Sequence, residues 1–310
     1  MSGPPASGSL APVRVLFTGS GWLPIVDMIA ARLPPGTTLV RWDLATPLTD
    51  VIADVDILLP SNAQITREVI HAAPALRLVQ QPAAGTEAID RAALVERNIP
   101  LCNAPGTNHV SVAECALFLL LSLARHAPVA AQMLRHRVVG EPLGVELCGR
   151  TLGVIGMGRS GTALAERATA LGMQVRALTR DDRDRDAFFA ACDAISIHCP
   201  LTPETRGLVD ARAFAAMRDG AMLVNVARGG VIDRAALVDA LASGKLGGVG
   251  LDVHWSEPPD PDDPLYRDPR VVALPHVAGS THEAFTRIAD VVVENIARLQ
   301  RGEPLVHRLV

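Results

Sequence analysis

Residues 152–161 read LGVIGMGRSG, and the stretch that follows, TALAERATALG at residues 162–172, has helical spacing of its apolar residues. A second apolar run, QVRALT, occupies residues 174–179. A G-x-G-x-x-G motif between a strand and a helix is typical of a βαβ unit that binds a dinucleotide pyrophosphate at the helix N-terminus. The alternative is a glycine-rich structural turn. We predict dinucleotide contacts at Gly156, Met157, Gly158, Arg159, Ser160 and Gly161.

The same alternation of short apolar runs and helical patterns extends to both sides of this motif. Alternation of this kind is typical of parallel sheets covered by helices on both faces. We therefore predict an α/β fold with two doubly wound parallel-sheet domains. The predicted strands are residues 13–17, 39–42, 57–59, 76–80, 99–102, 152–155, 174–178, 194–198, 222–226, 249–253 and 271–274. The predicted helices include residues 65–73, 90–97, 161–171, 205–216 and 234–244.

Composition excludes several classes of function. The 310 residues carry a net charge of −4, and aromatic residues make up only 3%. No basic stripe interleaved with aromatic residues is present, so we expect no nucleic-acid partner. The longest uncharged apolar run, residues 115–124, is too short to cross a bilayer, so we expect no membrane association.

The cysteines and the first residues bear on location. Five scattered cysteines, without a C-x-x-C pair or zinc spacing, indicate reduced thiols, no bound metal and a cytoplasmic protein. The first twelve residues, MSGPPASGSLAP, lack the pattern of a signal peptide and are expected to form a flexible leader.

Residues 111–125, SVAECALFLLLSLAR, form a distinct apolar segment. Ser111 and Glu114 have the spacing of a capping box, which predicts a helix that starts at Ser111. Because the helix is apolar on every side, we expect it to be buried all round, between domains or in a subunit interface.

The end of the second βαβ strand distinguishes the two nicotinamide dinucleotides. An NAD-binding chain normally has Asp or Glu there, about 20 residues past the glycine motif, to bind the ribose 2′-hydroxyl. This chain has Thr179 and Arg180, whose hydroxyl and guanidinium suit a 2′-phosphate. We therefore favour NADP(H), and NAD(H) is the alternative if Asp181 takes the acidic role.

Three further segments carry ionisable residues at the ends of predicted strands. Arg228 lies in MLVNVARGGVID, Glu257 in GVGLDVHWSEPP and His276 in VVALPHVAGST. An arginine can bind a carboxylate and polarise a carbonyl, a histidine can deliver a proton, and a carboxylate can orient the imidazole. Together they fit the reduction of a 2-keto acid, whereas singly a core histidine or a surface glutamate is the simpler interpretation.

These segments resemble the D-isomer specific 2-hydroxyacid dehydrogenase family. The matching motifs are GMGRSG, HCPLTPETRGL, NVARGGVID, LDVHWSEPP and LPHVAGST, in the family's order, within about residues 104–283. The pattern extends upstream through QQPAAGTEAID and NAPGTNHVSVAE. The resemblance implies a flavodoxin-like substrate domain, formed by residues 1–103 and 284–310, and an inserted Rossmann domain at residues 104–283. It also implies a homodimer.

The resemblance assigns substrate and catalytic roles to matched residues. Arg228 would bind the substrate, His276 would be the general acid/base, and Glu257 would be the acid paired with it. Backbone N–H groups around Ala84 and Gly85 would hold the substrate carboxylate. Further candidates for the substrate pocket are Ser61, Asn62 and Trp22.

The resemblance also assigns cofactor contacts. Asp252 would help to fix the nicotinamide amide, and the other contacts would come from Thr107, Cys199, Pro200, Thr202, Val226, Ala227 and Gly279. Two departures lie in the substrate loop, where Ala83 replaces a glycine and Glu87 replaces an aspartate. His254 and Trp255 are unusual before Glu257 and could reach the cofactor or the pocket rim.

We expect NAD(P)H-dependent reduction of a small 2-keto acid, such as glyoxylate or hydroxypyruvate, to the D-2-hydroxy acid. Formate dehydrogenases of similar fold carry glutamine at the position of Glu257, which argues against formate oxidation. The alternative is a non-catalytic, dinucleotide-sensing partner protein, since corepressors resemble this family.

Overall fold

The computed structural model describes residues 12–182 and 184–310, which form two compact units. Unit 1 consists of the described residues up to Asn108 together with Ser280–Val310, and unit 2 is His109–Gly279. The boundaries predicted from the sequence lie after residues 103 and 283 rather than after 108 and 279. Of the predicted leader, residues 1–11 lie outside the described residues.

Unit 1 is built on a parallel sheet with strand order β2-β1-β3-β4-β5, the order of flavodoxin. A long terminal helix packs its apolar face, at helical spacing, against the cluster around Val15 and Phe17. The strands are β1 (Val13–Phe17), β2 (Thr37–Arg41), β3 (Ile57–Leu59), β4 (Leu78–Gln80) and β5 (Leu101–Cys102). The helices are α1 (Pro24–Ala30), α2 (Leu48–Val51), α3 (Arg67–His71), α4 (Arg91–Glu96) and the terminal α11 (His282–Arg301).

Unit 2 contains a second parallel sheet, of order β11-β10-β9-β8-β6-β7. The chain passes from β6 to β7 and returns to β8 on the other side of β6, so strand order reverses between β6 and β8. Its strands are β6 (Thr151–Ile155), β7 (Gln174–Leu178), β8 (Ala194–Ile197), β9 (Ala221–Asn225), β10 (Leu246–Leu251) and β11 (Val271–Ala273). Its α-helices are α5 (His109–Ala124), α6 (Ala127–Arg135), α7 (Arg159–Ala170), α8 (Arg185–Ala191), α9 (Ala211–Ala216) and α10 (Arg234–Ala242). Two doubly wound α/β units confirm the predicted fold class.

The helix predicted at residues 205–216 is wrong in its first half. Helix α9 begins after Asp210, whose side chain accepts a hydrogen bond from the backbone N–H of Ala213. Upstream, the Thr205 hydroxyl is 2.6 Å from the Pro200 carbonyl and 2.7 Å from the Thr202 backbone nitrogen. Side-chain bonds to nearby backbone favour a turn over a helix here.

Helix α5 differs from its prediction in its start and its burial. It begins at His109, so Ser111 lies inside the helix, and Glu114 forms an ion pair with Arg167 at 3.0 Å rather than completing a cap. Within the described chain, the side chains of Phe118 and Leu121 are 54% and 42% exposed, so the helix is not buried all round. No single described helix could span a membrane; α5 and α6 meet that test only when counted together, and they are bent by 55°.

Asn295 links α11 to the sheet of unit 1. It is fully buried, donates to Gln80 Oε1 at 2.6 Å and to the Val306 carbonyl at 3.0 Å, and accepts from the Val306 N–H at 2.8 Å. Asn295→Leu should destabilise the protein by roughly 3 kcal/mol, because the buried Gln80 side chain and the half-buried backbone groups of Val306 lose their partners at about 1–3 kcal/mol each. Denaturant unfolding would measure this, with the exposed His282→Ala on the same helix as control. A loss of less than about 1 kcal/mol would contradict this assignment.

Candidate active site

The glycine motif connects β6 to α7 as predicted. Gly156 follows β6 with a φ of +95°, and a Cβ there would lie 2.8 Å from the backbone nitrogen of Cys199. A Cβ at Gly161 would lie 2.1 Å from the carbonyl oxygen of Gly156, whereas none of the described atoms lies within 4 Å of a Cβ at Gly158. Two glycines therefore permit close backbone packing, and the third leaves open space at the N-terminus of α7. This arrangement fits a dinucleotide pyrophosphate.

A histidine that sequence reasoning did not single out supports this helix N-terminus. His198, directly after β8, is hydrogen-bonded through Nδ1 to the Ser160 hydroxyl at 3.1 Å and through Nε2 to the Ser196 hydroxyl at 2.9 Å. Burial lowers the pKa of His198 to about 4, so the ring is neutral at physiological pH. The quoted motif HCPLTPETRGL contained this residue, but nothing in its spacing indicated a role.

A carboxylate lies at the end of β7, the position from which we predicted NADP(H) rather than NAD(H). The backbone N–H and the hydroxyl of Thr179 both donate to Asp182 Oδ2, at 2.6 and 2.9 Å. These bonds hold the pKa of Asp182 below its ordinary value. Thr179 and Arg180 take the place of the usual acidic residue, but Asp182 still brings a carboxylate next to Thr179. The chain turns back after Thr179, and sequence reasoning had considered only Asp181.

The remaining predicted cofactor contacts of unit 2 follow strands of the same parallel sheet. Because such strands end at one edge, these residues share that edge with the glycine motif. Cys199, Pro200 and Thr202 follow β8, Val226 and Ala227 follow β9, and Asp252 follows β10. Gly279 ends unit 2, and Thr107 belongs to unit 1.

The segment of Arg228 is fixed through its backbone. The fully buried Asn225, at the end of β9, donates to the Arg228 carbonyl at 2.9 Å and accepts from the Ala227 N–H at 3.0 Å. A Cβ at Gly229 would lie 2.2 Å from the His254 carbonyl oxygen. The loop of Arg228 therefore packs directly against the segment that leads to Glu257.

Glu257 and His276 form the pair expected from the resemblance. His276 Nδ1 donates to Glu257 Oε2 at 2.7 Å, and Glu257 Oε1 accepts from the backbone N–H of His254 at 3.1 Å. Burial opposes the charge of Glu257, but its interactions with His276 and His254 together outweigh burial, so the pKa of Glu257 lies below its ordinary value. This carboxylate is ionised at neutral pH.

Asp252 fixes the residues that follow His276. It is fully buried, and its two oxygens accept from the backbone N–H groups of Val277 at 2.8 Å and Ala278 at 3.0 Å. Burial raises the pKa of Asp252, against these two hydrogen bonds. A contact with nicotinamide remains a prediction.

The side chains of His254 and Trp255 contact the protein interior rather than the rim of the substrate pocket. The His254 ring is hydrogen-bonded to the Tyr266 hydroxyl and to the Leu274 carbonyl, both at 2.8 Å. Trp255 Nε1 donates to the Ile232 carbonyl at 2.8 Å.

The predicted substrate residues of unit 1 lie in loops after its strands. Ser61 follows β3 with a φ of +54°, and its carbonyl accepts from Gln81 Nε2 at 2.9 Å. Ala84 is exposed, and its carbonyl accepts from Asn103 Nδ2 at 2.8 Å; Gly85 is next to it. Asn62 bonds to Ser20, and Trp22 has a positive φ. Their contacts with substrate remain predictions. Within the described residues, no group of three or more histidine, cysteine or acidic side chains could hold a metal ion.

Comparison with known proteins agrees with this geometry. The chain is 38% identical over 263 residues to the D-3-phosphoglycerate dehydrogenase of Archaeoglobus fulgidus, covering 80% of this chain but only 50% of that one. It is 38% identical over 257 residues to the glyoxylate reductase of Korarchaeum cryptofilum, covering 77% of each. The chain thus spans about half the length of the first of these relatives.

A solved structure is similar over almost the whole chain. The NADPH-dependent glyoxylate/hydroxypyruvate reductase of Sinorhizobium meliloti, in complex with NADP and malonate, superposes with a TM-score of 0.85 at 30% identity, covering 97% of each chain. Residues 117–278 match the family model of the D-isomer specific 2-hydroxyacid dehydrogenase NAD-binding domain. The protein therefore belongs to the D-isomer specific 2-hydroxyacid dehydrogenase family.

Proposed function

We propose that this protein reduces a small 2-keto acid to the D-2-hydroxy acid, with glyoxylate and hydroxypyruvate as the first substrates to test. The observation that carries the proposal is the 2.7 Å hydrogen bond between His276 Nδ1 and Glu257, at the sheet edge that also bears Arg228 and the glycine motif. The glyoxylate reductase and the glyoxylate/hydroxypyruvate reductase among its relatives support the substrate class.

Arg228, His276 and Glu257 each have a distinct role in the proposed reaction. The Arg228 guanidinium binds the keto acid and polarises its carbonyl. His276 gives a proton from Nε2 to the carbonyl oxygen, because Nδ1 is held by Glu257. The negative charge of Glu257 stabilises the protonated imidazole. A reduced nicotinamide dinucleotide, which the loop of Gly156–Gly161 would hold, would supply the hydride that reduces the keto carbon.

A turnover assay with NADPH tests the proposal. The panel should contain glyoxylate, hydroxypyruvate, pyruvate and 3-phosphohydroxypyruvate. The last is the 2-keto acid that corresponds to 3-phosphoglycerate, and it is included because a D-3-phosphoglycerate dehydrogenase is also a relative. We expect glyoxylate or hydroxypyruvate to give the highest kcat/KM. Dinucleotide binding without turnover of any of them would favour the sensing protein instead.

His276→Ala should lower kcat by roughly 10²- to 10⁴-fold, the usual contribution of general acid–base catalysis. Glu257→Gln should move the pH dependence of reduction toward acid, because the protonated imidazole loses its anionic partner. Steady-state kinetics between pH 5 and 9 would measure both effects. The exposed His71→Gln, on α3, is the control. Turnover of His276→Ala close to that of the unmodified protein would refute the assignment.

We propose NADPH as the preferred cofactor. The support is Arg180, which follows Thr179 after β7, together with the bound NADP in the Sinorhizobium relative. The Asp182 carboxylate on the Thr179 donors acts against this preference. One charge-assisted hydrogen bond contributes about 1–3 kcal/mol, and about 1.4 kcal/mol is tenfold, so NADPH should exceed NADH about tenfold or more in kcat/KM.

Variants of this loop test the cofactor choice. Thr179→Asp with Arg180→Ala should abolish or reverse the preference and leave the order of keto acids unchanged. Asp182→Asn should strengthen the preference, because the carboxylate on the Thr179 donors would repel a 2′-phosphate. Asp181→Asn is the matched control. Equal use of both cofactors, or preference for NADH, by the unmodified protein would contradict the proposal.

We propose a two-fold homodimer formed through α5 and the segment after it. Exposed apolar side chains line this region, including Phe118 at 54%, Leu134 at 78% and Leu143 at 85%. Such a patch is typical of a protein interface.

A cytoplasmic location is a further proposal, supported by five free cysteines. Cell fractionation that places the protein outside the cytoplasm would overturn it.

Sedimentation at micromolar concentration should give about twice the chain mass of 32.7 kDa. Phe118→Asp with Leu134→Asp should shift the protein toward the monomer, because buried carboxylates oppose association. Val95→Asp, at a position 58% exposed in unit 1, is the control. A monomer for the unmodified protein would refute the dimer.

A further inference from the structure

We propose that His254 is a positioning residue for the acid–base pair, because it joins the loop of Glu257 to the segment of His276. The inference rests on the proposed function for its kinetic consequence. The juxtaposition itself rests on contacts within unit 2.

The first step is the pair of contacts that His254 makes on either side. Its imidazole Nε2 lies 2.8 Å from the carbonyl oxygen of Leu274, two residues before His276. Its backbone N–H donates to Glu257 Oε1 at 3.1 Å. One residue therefore contacts the carboxylate directly and fixes the chain that presents the imidazole.

The second step is the orientation of the ring. A carbonyl oxygen can only accept, so Nε2 of His254 carries a hydrogen, and in the neutral ring Nδ1 accepts from the Tyr266 hydroxyl at 2.8 Å. The two rings also pack edge to face, with centroids 5.2 Å apart at 84°. His254 is only 7% exposed. Because both ring nitrogens bond to protein groups, this histidine positions others and does not itself exchange a proton with substrate.

The third step is the backbone of the residue that is positioned. His276 has a left-handed φ of +56°, which an L-residue adopts at a cost. Asp252 fixes the chain after it through Val277 and Ala278, and His254 fixes the chain before it through Leu274. His276 is thus fixed on both sides.

His254 also meets the third segment of the site. Its carbonyl oxygen would lie 2.2 Å from a Cβ at residue 229, and the neighbouring Trp255 donates to the Ile232 carbonyl. The segment of Arg228 therefore packs against the same short stretch of chain. A shift of His254 would move all three functional side chains relative to one another.

Two substitutions separate positioning from bulk. His254→Leu keeps the approximate size of the side chain but replaces the imidazole with an apolar group that cannot donate a hydrogen bond. In His254→Gln, the amide nitrogen can still donate to the Leu274 carbonyl. We expect His254→Leu to lower kcat by about 10- to 100-fold, as misplacement of a catalytic group does, with little change in KM for NADPH. His254→Gln should restore most of the loss. Tyr266→Phe, which removes only the hydroxyl, should have a smaller effect, and His71→Leu on α3 should have none.

A second readout does not depend on turnover. Carbon-13 NMR of the Glu257 carboxyl follows its titration in the protein without substrate. In His254→Leu the pKa of Glu257 should rise, because its hydrogen bonds to His254 and His276 loosen while burial remains. In His254→Gln it should stay close to the value in the unmodified protein.

The two readouts separate failure of this inference from failure of the proposed function. If the unmodified protein reduces no keto acid, the proposed function fails and the NMR titration decides the role of His254. An unchanged Glu257 titration in His254→Leu would overturn the inference. So would kcat within twofold of the unmodified protein, or no recovery in a folded His254→Gln.

Discussion

The strand-end edge of unit 2 depends on backbone segments that approach more closely than a side chain would permit. Gly161 packs on the carbonyl of Gly156, and Gly229 packs on the carbonyl of His254, each where a Cβ would be within 2.2 Å of an oxygen. An alanine at Gly161 would displace the start of α7 from the end of β6. An alanine at Gly229 would separate the loop of Arg228 from the loop of Glu257. Cofactor loop and acid–base site therefore depend on the same kind of contact.

Two carboxylates near His276 are stabilised in different ways. Glu257 is hydrogen-bonded to the imidazole of His276, so its negative charge acts directly on that ring. Asp252 is bonded to two backbone N–H groups, whose positions do not change with protonation. In the proposed mechanism, Glu257 therefore acts on proton transfer, whereas Asp252 holds the backbone next to His276. This difference gives neighbouring acids separate roles.

Sequence reasoning predicted those parts that depend on local pattern. The apolar run, glycine motif and helical spacing at residues 152–172 predicted the βαβ unit. Motif resemblance predicted roles for Arg228, Glu257 and His276, and the structure brings Glu257 and His276 into hydrogen-bond contact. Sequence reasoning did not predict contacts that require a fold in three dimensions. Asp182 reaches Thr179 only because the chain turns back, and His254 reaches Leu274 only because β10 and β11 are neighbours. The predicted start of α5 at Ser111 was also wrong, because a capping-box spacing can occur inside a helix.

The discontinuity of unit 1 has a consequence for biosynthesis. A ribosome makes the chain from its N-terminus, at about 5–20 residues per second. When residue 279 has left the ribosome, all of unit 2 is available as one continuous stretch and can fold. Unit 1 then still lacks α11, the helix that covers Val15 and Phe17. Strand β1 is therefore synthesised before unit 2 but belongs to a unit that is completed after it, and its apolar face is covered only when α11 has left the ribosome.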